Sequence, residues 1–145
     1  MIVYFDSNSI VKWFFDEPNM ELARDIRDKA DFVFTSLVSF PEVMSTIYRA
    51  MKEGRCSKSD MALVRDEFVR IWPGFQWVRL SETLIQQAGQ LIFKYGLRGY
   101  DSIHLASALL LKDEGGKIDP FFSCFDRNLN RAALKEGLRI HRELP

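Results

Sequence analysis

The chain has 145 residues, of which 47% are hydrophobic and 28% are charged. These values lie near the averages of globular domains, so they exclude a disordered chain, a collagen-like repeat and a disulfide scaffold. Twenty Lys and Arg balance twenty Asp and Glu, so the total charge gives no indication of a nucleic-acid partner. The length predicts a single domain covering residues 1–145.

The amino-terminal segment and the cysteines predict a cytoplasmic protein. Residues 1–6 contain no basic stretch and reach an acid after only five residues, which is unlike a secretory signal. No apolar run approaches the roughly 20 residues that a membrane-spanning helix needs, so we expect no membrane association. Cys56 and Cys124 lack the spacing of metal ligands, and we interpret both as free thiols.

Short apolar stretches alternate with helical patterns along the chain. Residues 2–5 predict a strand buried on both faces, followed by a polar turn at 6–9. Further strands are predicted at 32–35, 77–80, 121–125 and 138–140. Helices are predicted at 11–15, 21–29, 41–52, 58–72, 82–95, 101–112 and 129–135, with Ser57 and Ser81 as N-caps and the 101–112 helix ending before the glycines at 115–116. Strands alternating with helices predict an α/β sandwich around a mainly parallel sheet.

Four acids stand at strand ends and helix starts. Asp6 and Asp126 directly follow predicted strands, while Glu42 and Asp101 lie in the first turns of predicted helices. Ligands of open α/β sheets bind at the carboxyl edge, so we expect these four carboxylates to converge in one cleft there. Two carboxylates about 4 Å apart repel by about 4 kcal/mol at an effective dielectric of about 20, so convergence implies a cation. Oxygen ligands favour Mg²⁺ or Mn²⁺, as one or two ions.

Each acid also has a structural interpretation. Asp6 suits a turn, and Asp126 suits the N-cap of the following helix. Ser39 and Glu42 fit the capping-box pattern, in which the glutamate satisfies a backbone amide. Asp101 suits the positive end of a helix dipole. Position alone leaves both interpretations open for every one of the four.

The acids lie in four characteristic segments, 3–12 (VYFDSNSIVK), 35–43 (TSLVSFPEV), 98–108 (RGYDSIHLASA) and 122–129 (FSCFDRNL). In this order the segments resemble the four motifs of the PIN-domain nucleases, particularly the VapC-type toxins of bacterial and archaeal toxin-antitoxin pairs. The third match is the most specific. Two positions depart from the family pattern, because Ser102 replaces a usual Ala and Cys124 replaces a usual Thr or Ser. Neither change removes a carboxylate.

The resemblance implies a fold, a reaction and partners. The fold would be a PIN-like three-layer sandwich, with helices on both sides of a mainly parallel sheet. The reaction would be hydrolysis of RNA phosphodiester bonds, leaving a 5′-phosphate and a 3′-hydroxyl. A cognate antitoxin and a homodimer are implied as well. The implied ligands of Mg²⁺ or Mn²⁺ are Asp6, Glu42, Asp101 and Asp126.

Polar residues near the acids extend this hypothesis. Ser7 and Asn8 would contact the metal shell or the scissile phosphate, with a plain polar turn as the alternative. His104 shares a helix face with Asp101. We interpret His104 as structural because Ile103 and its other neighbours are apolar.

Five basic residues are candidates for binding the RNA backbone, with solvated helix faces as the alternative. An unpaired, flexible strand reaches the floor of an acidic cleft more easily than a stiff duplex. We therefore expect cleavage in single-stranded or loop regions, with binding that is metal-assisted and sensitive to salt. The five residues are Arg49, Lys52, Arg55, Arg98 and Arg127.

A binding surface is predicted from three adjacent aromatics, Trp13, Phe14 and Phe15, and from apolar residues on the next motif's helix, Met44, Ile47, Tyr48 and Met51. A helix places successive residues about 100° apart, so we expect part of this set to form an exposed apolar patch. The resemblance to VapC toxins implies that an antitoxin peptide binds there and that a homodimer forms elsewhere. A helix buried on two sides is the alternative.

Other enzyme classes fit the sequence less well. A haloacid dehalogenase-type phosphatase needs a second acid two residues after the first, where this chain has Asn8. A response-regulator receiver needs adjacent acids at the first strand end. The remaining alternative is a non-catalytic member of the same fold that binds RNA or protein, and metal-dependent RNA cleavage would separate it from a nuclease.

Overall fold

The computed structural model describes residues 1–113 and 117–141, which contain a four-stranded sheet. Every neighbouring pair of strands is parallel, and the register pairs Val3 of the first strand with both Val33 and Phe121. In spatial order, the strands are β3-β2-β1-β4. Their bounds are β1 Ile2–Phe5, β2 Phe32–Ser36, β3 Gln76–Val78 and β4 Phe121–Ser123.

Helices connect the strands in the alternating order that the sequence predicts. Ser57 and Ser81 accept hydrogen bonds from the amides of Asp60 and Leu84, as expected of N-caps. Gly96 ends the fifth helix with a φ of 68°, a conformation that glycine adopts easily. The described residues form α1 Ser7–Val11, α2 Met20–Lys29, α3 Ser39–Lys52, α4 Lys58–Ile71, α5 Glu82–Tyr95, α6 Gly99–Asp113 and α7 Arg127–Lys135, with a 3₁₀ turn at Trp72–Gly74.

The sheet separates two hydrophobic clusters because successive strand residues point to opposite faces. Val3 and Phe5 of β1 belong to a cluster with α1, α2, α3 and α4. Tyr4 and Phe122 belong to the other cluster, with α5, α6 and α7. The predicted three-layer α/β sandwich is therefore confirmed. The extent of the domain, 1–145, stays a prediction.

The region after β1 differs from the prediction. Residues 6–9 were expected to form a turn before a helix at 11–15, but α1 already begins at Ser7 and ends at Val11. The physical reason is the Asp6 carboxylate, whose Oδ1 accepts a 2.8 Å hydrogen bond from the Ser9 amide. Asp6 is thus an N-cap, and the polar residues after it form the first turn of the helix.

Of the set expected to form an apolar patch, Tyr48 is 53% exposed, whereas the three adjacent aromatics are buried or half-buried. Trp13 is buried, in an edge contact with Phe5 and a stacked contact with Phe75. Phe14 and Phe15 are half-buried and pack against the same cluster. The argument from helical spacing fails here because the chain has left α1 at Val11 and runs through turns.

The ends of three predicted strands also differ. The strands β3 and β4 end at Val78 and Ser123, two residues before the predicted ends. The expected strand at 138–140 is reduced to one parallel bridge between Phe121 and Arg139. The glycines at 115–116, expected to follow a helix end, lie outside the described residues. Within residues 1–113 and 117–141, no helix is both long and apolar enough to cross a membrane.

Candidate active site

Asp6 is fixed at the carboxyl edge of the sheet, between β1 and β4. Its backbone amide donates a 3.1 Å hydrogen bond to the carbonyl of Ser123, and the Ser9 hydroxyl donates to the same carbonyl at 2.7 Å. The Asp6 side chain is almost completely buried, although it carries the helix cap described above. Asp6 therefore caps a helix and also lies at the sheet edge where ligands of open α/β sheets bind.

Asp126 likewise caps a helix and lies at the carboxyl edge of the sheet, beyond the end of β4. Its Oδ1 accepts a 2.8 Å hydrogen bond from the Leu129 amide and caps α7. Its own amide donates to the sulfur of Cys124 at 3.3 Å. Asp101 lies, partly buried, in the first turn of α6, as expected.

Asp6 and Asp126 lie close enough to Asp101 to affect its ionisation. Burial raises the pKa of Asp101, and the negative charges of Asp126 and Asp6 raise it further, against opposing effects of His104 and Arg98. Burial also raises the pKa of Asp6, opposed by His104 and by hydrogen bonds from Ser9 and Cys124. The structure thus brings together Asp6, Asp101 and Asp126, which come from three different loops or helices.

Glu42 is held differently from the aspartates. Its Oε1 lies 2.7 Å from Nε2 of His104. The capping-box interpretation of Glu42 is wrong, because Val38 is the N-cap of α3 and makes no side-chain cap. The Ser39 hydroxyl instead lies 2.6 Å from the Thr35 hydroxyl. Three aspartates therefore converge, whereas Glu42 contacts His104, which lies three residues after Asp101 on α6.

The two departures from the family pattern are accommodated locally. The Ser102 hydroxyl is buried and donates a 2.7 Å hydrogen bond to the carbonyl of Gly99 within α6. Burial raises the pKa of the Cys124 thiol well above its ordinary value, and the nearby charge of Asp6 adds to this. A neutral thiol is a weak donor, and its hydrogen bond to Asp6 takes the place of a hydroxyl contact.

An open cleft of about 1140 Å³ lies along these residues. Glu42 and Asp101 line it, together with the predicted polar pair Ser7 and Asn8, which belong to α1 and not to a turn. One wall is apolar and comes from α5. The wall residues include Ile85, Ala88, Gly89 and Ile92.

The structure separates the five predicted RNA-binding bases. Arg49 and Arg98 line the cleft. Lys52 and Arg55 lie near the carboxyl end of α3 and do not line the cleft. Arg55 forms a 3.1 Å ion pair with Glu53. Arg127 begins α7, directly after Asp126.

The fit of a divalent cation can be judged from the donors present. In the part of the chain that the structure describes, no group of three or more His, Cys, Asp or Glu side chains is arranged to hold a metal ion. Mg²⁺ commonly uses one or two carboxylates and completes its octahedron with water. The aspartates suit such an ion, because their mutual repulsion, visible in the raised pKa of Asp101, would be relieved by a positive charge.

This repulsion predicts how the stability of the metal-free protein depends on pH. The raised pKa values of Asp6 and Asp101 mean that the folded state binds these protons more tightly than the unfolded chain. The ionised carboxyls therefore lower the stability at neutral pH, and this loss is recovered as the pH falls through the folded-state pKa. With EDTA present, we expect Asp101→Asn to be more stable than wild type at about pH 7.5, and the difference to shrink as the pH falls toward about 4, the ordinary pKa of an aspartate. Urea unfolding measures both, and a difference independent of pH would contradict the prediction.

Some of the residues that organise the site have no signal in the sequence. Tyr4 belongs to an apolar run, yet its hydroxyl lies 2.9 Å from Nδ1 of His104. Thr35 donates a 2.8 Å hydrogen bond to the carbonyl of Phe5. The prediction that His104 is buried was right, because its side chain is 1% exposed, but its contact with Glu42 was missed.

The comparison with known families identifies the fold. The sequence profile of the family described as PIN domain matches residues 3–135. The chain belongs to the PIN domain family. A PIN relative in Mycobacterium tuberculosis, Ribonuclease VapC45, is 32% identical over 139 residues, which cover 96% of this chain and 94% of the relative. The family resemblance of the four motifs is thereby confirmed.

Solved structures show the same PIN architecture. The M. tuberculosis protein VapC20, described as a sarcin-ricin loop cleaving toxin, aligns with a TM-score of 0.66 and 15% identity, over 90% of this chain and 94% of that one. A toxin-antitoxin complex from Klebsiella pneumoniae aligns with a TM-score of 0.61 and 18% identity, over 86% of each chain. At these identities the likeness establishes the fold.

Proposed function

We propose that this PIN-domain protein is an Mg²⁺- or Mn²⁺-dependent endoribonuclease and the toxin of a toxin-antitoxin pair. The observation that carries the proposal is the group of three mutually repelling aspartates at the carboxyl edge of the sheet, beside a cleft that Glu42 also lines. The 32% identity to a protein named as a ribonuclease supports RNA as the substrate. Metal-dependent cleavage of RNA, and its loss on substitution of Asp101, tests the proposal.

The proposed ligands of the ion are Asp6, Glu42, Asp101 and Asp126. A bound divalent ion would lower the pKa of a water molecule and neutralise charge that develops on the phosphate. The chain's carboxylates would orient that water and accept its proton. Because Glu42 and Asp101 line the cleft, they are the acids closest to an entering strand.

RNA binding would use the side chains around the same cleft. Arg49 and Arg98 line it and offer positive charge to the phosphate backbone, which supplies much of the affinity in such complexes. Ser7 and Asn8 are placed to donate hydrogen bonds to a phosphate. Lys52 and Arg55 would contribute less to RNA binding, since they do not line the cleft.

The electrostatics favour a nuclease over a non-catalytic binding module of the same fold. Carboxylates whose pKa is raised by burial and by neighbouring acids destabilise the folded protein when they are ionised. Such a cost is typical of functional sites, where acids are held together to bind a cation or to perform acid-base chemistry.

We expect an antitoxin partner encoded beside this protein. Toxins with this fold are found in complexes, such as the one from K. pneumoniae. Co-expression with the product of the adjacent gene should yield a co-purifying complex in which RNA cleavage is suppressed at least about tenfold relative to the free protein, because a tight complex keeps the cleft occupied. An unrelated small protein expressed in the same way serves as the control. Full activity without co-purification would contradict the toxin assignment.

A homodimer and a cytoplasmic location complete the proposal. Exposed apolar side chains on α5 offer a surface for self-association, because large exposed hydrophobic groups mark interaction sites. Phe93 is 96% exposed, and Ile85, eight residues earlier, is 43% exposed and also lines the cleft.

A further inference from the structure

A buried series of hydrogen bonds connects three of the four elements that carry the acids. Tyr4 lies on β1, two residues before Asp6, and His104 lies on α6, one turn after Asp101. The Tyr4 hydroxyl is 2.9 Å from Nδ1 of His104, and Nε2 of the same ring is 2.7 Å from Oε1 of Glu42 on α3. We call these three residues, Tyr4, His104 and Glu42, the relay.

The chemistry of the groups assigns the hydrogens in the relay. An ionised carboxylate only accepts hydrogen bonds, so Nε2 of His104 must carry the hydrogen that is donated to Glu42. In a neutral ring Nδ1 is then an acceptor, and the Tyr4 hydroxyl donates to it. Burial raises the pKa of Tyr4 well above its ordinary value, so this hydroxyl keeps its proton.

Packing holds the two inner members of the relay in place. Tyr4 is completely buried, and its ring stacks on Phe122 with a centroid distance of 5.7 Å. His104 is 1% exposed, whereas the Glu42 side chain is 21% exposed and reaches the cleft. The rigid interior therefore ends in a carboxylate at the surface of the site.

The backbone of α3 is anchored by other groups. Thr35 donates to the carbonyl of Phe5 at 2.8 Å and contacts the hydroxyl of Ser39, which begins α3, at 2.6 Å. This anchor does not fix the Glu42 side chain, which has several rotatable bonds and gains freedom when it is released. The contact with His104 is the hydrogen bond that the structure gives the Glu42 carboxylate.

We propose that His104, oriented by Tyr4, is a positioning residue that fixes the Glu42 carboxylate for metal binding and RNA hydrolysis. The proposal rests on the metal-dependent nuclease function proposed above. His104 touches neither substrate nor metal in this scheme. It acts through Glu42, in the way that outer hydrogen-bonding partners orient metal ligands in other proteins.

Two amide variants at His104 separate positioning from packing. Glutamine is long enough to place an N–H near the position of Nε2 and so to donate to Glu42, whereas the shorter asparagine reaches only the position of Nδ1. Both remove the ring and disturb packing to a similar degree. A purely structural role therefore predicts similar defects in both variants, and a positioning role predicts rescue by His104→Gln alone.

The readout is Mn²⁺ affinity, measured by calorimetry without RNA. We expect His104→Asn to weaken Mn²⁺ binding about 10- to 100-fold and His104→Gln to stay within about threefold of wild type. In RNA cleavage, kcat should fall for His104→Asn with little change in KM. The controls are His141→Gln, at the other histidine of the chain, and Tyr95→Phe, which removes a tyrosine hydroxyl that contacts Glu136. Equal Mn²⁺ affinities of the Asn and Gln variants would overturn the proposal.

A second measurement uses the metal-free protein and reports on the His104 ring directly. The chain has two histidines, so ¹⁵N spectra of the imidazoles contain two rings, which His141→Gln assigns. We expect Nε2 of His104 to be protonated, and Tyr4→Phe to shift the Nδ1 resonance. An unprotonated Nε2 would overturn the proposal. If wild type neither binds Mn²⁺ nor cleaves RNA, the proposed function fails, while these spectra still decide whether the relay exists.

Discussion

Asp101→Asn is expected to lower the kcat of Mn²⁺-dependent RNA cleavage by about 10³-fold or more, with the fold intact. Asp101 lines the cleft, and its pKa records the proximity of Asp6 and Asp126. Asparagine keeps the shape of the side chain but removes the negative charge that a cation needs. Because the ion is shared, Asp6→Asn and the double variant should resemble Asp101→Asn, since residues that act as a unit have non-additive effects.

The control for this experiment is Asp66, an aspartate that is not part of the proposed metal site. Asp66 lies on α4, is exposed and pairs with Arg65 at 3.1 Å. Asp66→Asn should cleave RNA at the wild-type rate, because a surface ion pair contributes little to stability. Initial rates with Mn²⁺ and with EDTA, combined with urea unfolding of each variant, complete the test. Near-normal cleavage by Asp101→Asn would show that the metal site is assigned to the wrong residues.

The second large effect concerns whether unpaired or paired RNA is cleaved faster. A labelled RNA stem-loop should be cut within its loop at least about tenfold faster than the fully paired duplex of the same sequence, because unpaired nucleotides can splay into a cleft and a duplex stays stiff. In the proposed complex, Glu42 and Asp101 would face a strand that enters beside Arg49 and Arg98, which line the same cleft and would hold its phosphates. Raising the salt concentration should slow cleavage of the stem-loop, since phosphate contacts weaken with salt.

A DNA stem-loop of matching sequence is the control for the sugar. Gel analysis of end-labelled substrates with Mn²⁺ gives the position of each cut, and labelling of the products identifies the expected 5′-phosphate. Preferential cutting of the perfect duplex would contradict the predicted substrate form. Cutting of DNA alone would contradict the assignment as a ribonuclease.

Much of the fold could be predicted because it depends on local patterns. The apolar run at Ile2–Phe5 has the pattern of a buried strand and forms β1, and Ser57 and Ser81 cap helices at the expected positions. The predictions of secondary structure were wrong where a tertiary contact or a side-chain cap overrode the local pattern. Asp6 was expected to begin a turn, but its carboxylate accepts from the Ser9 amide and starts a helix there.

The burial of Trp13 shows a second limit of local reasoning. Helical spacing predicted that three adjacent aromatics could not share one core. After α1 the chain turns, and Trp13 contacts Phe5 and Phe75, which are distant in sequence. Spacing rules hold only as long as the helix continues, and the sequence did not reveal where it ends.

The sequence by itself predicted which acids would meet, because strand ends and helix starts of an alternating α/β chain meet at one sheet edge. It also determined the family, through the four motifs around those acids. Only the tertiary structure decided how the acids are held. The link from Tyr4 through His104 to Glu42 joins residues 100 and 62 positions apart in the chain. Such contacts depend on how β1, α3 and α6 pack together, and no local pattern encodes that packing.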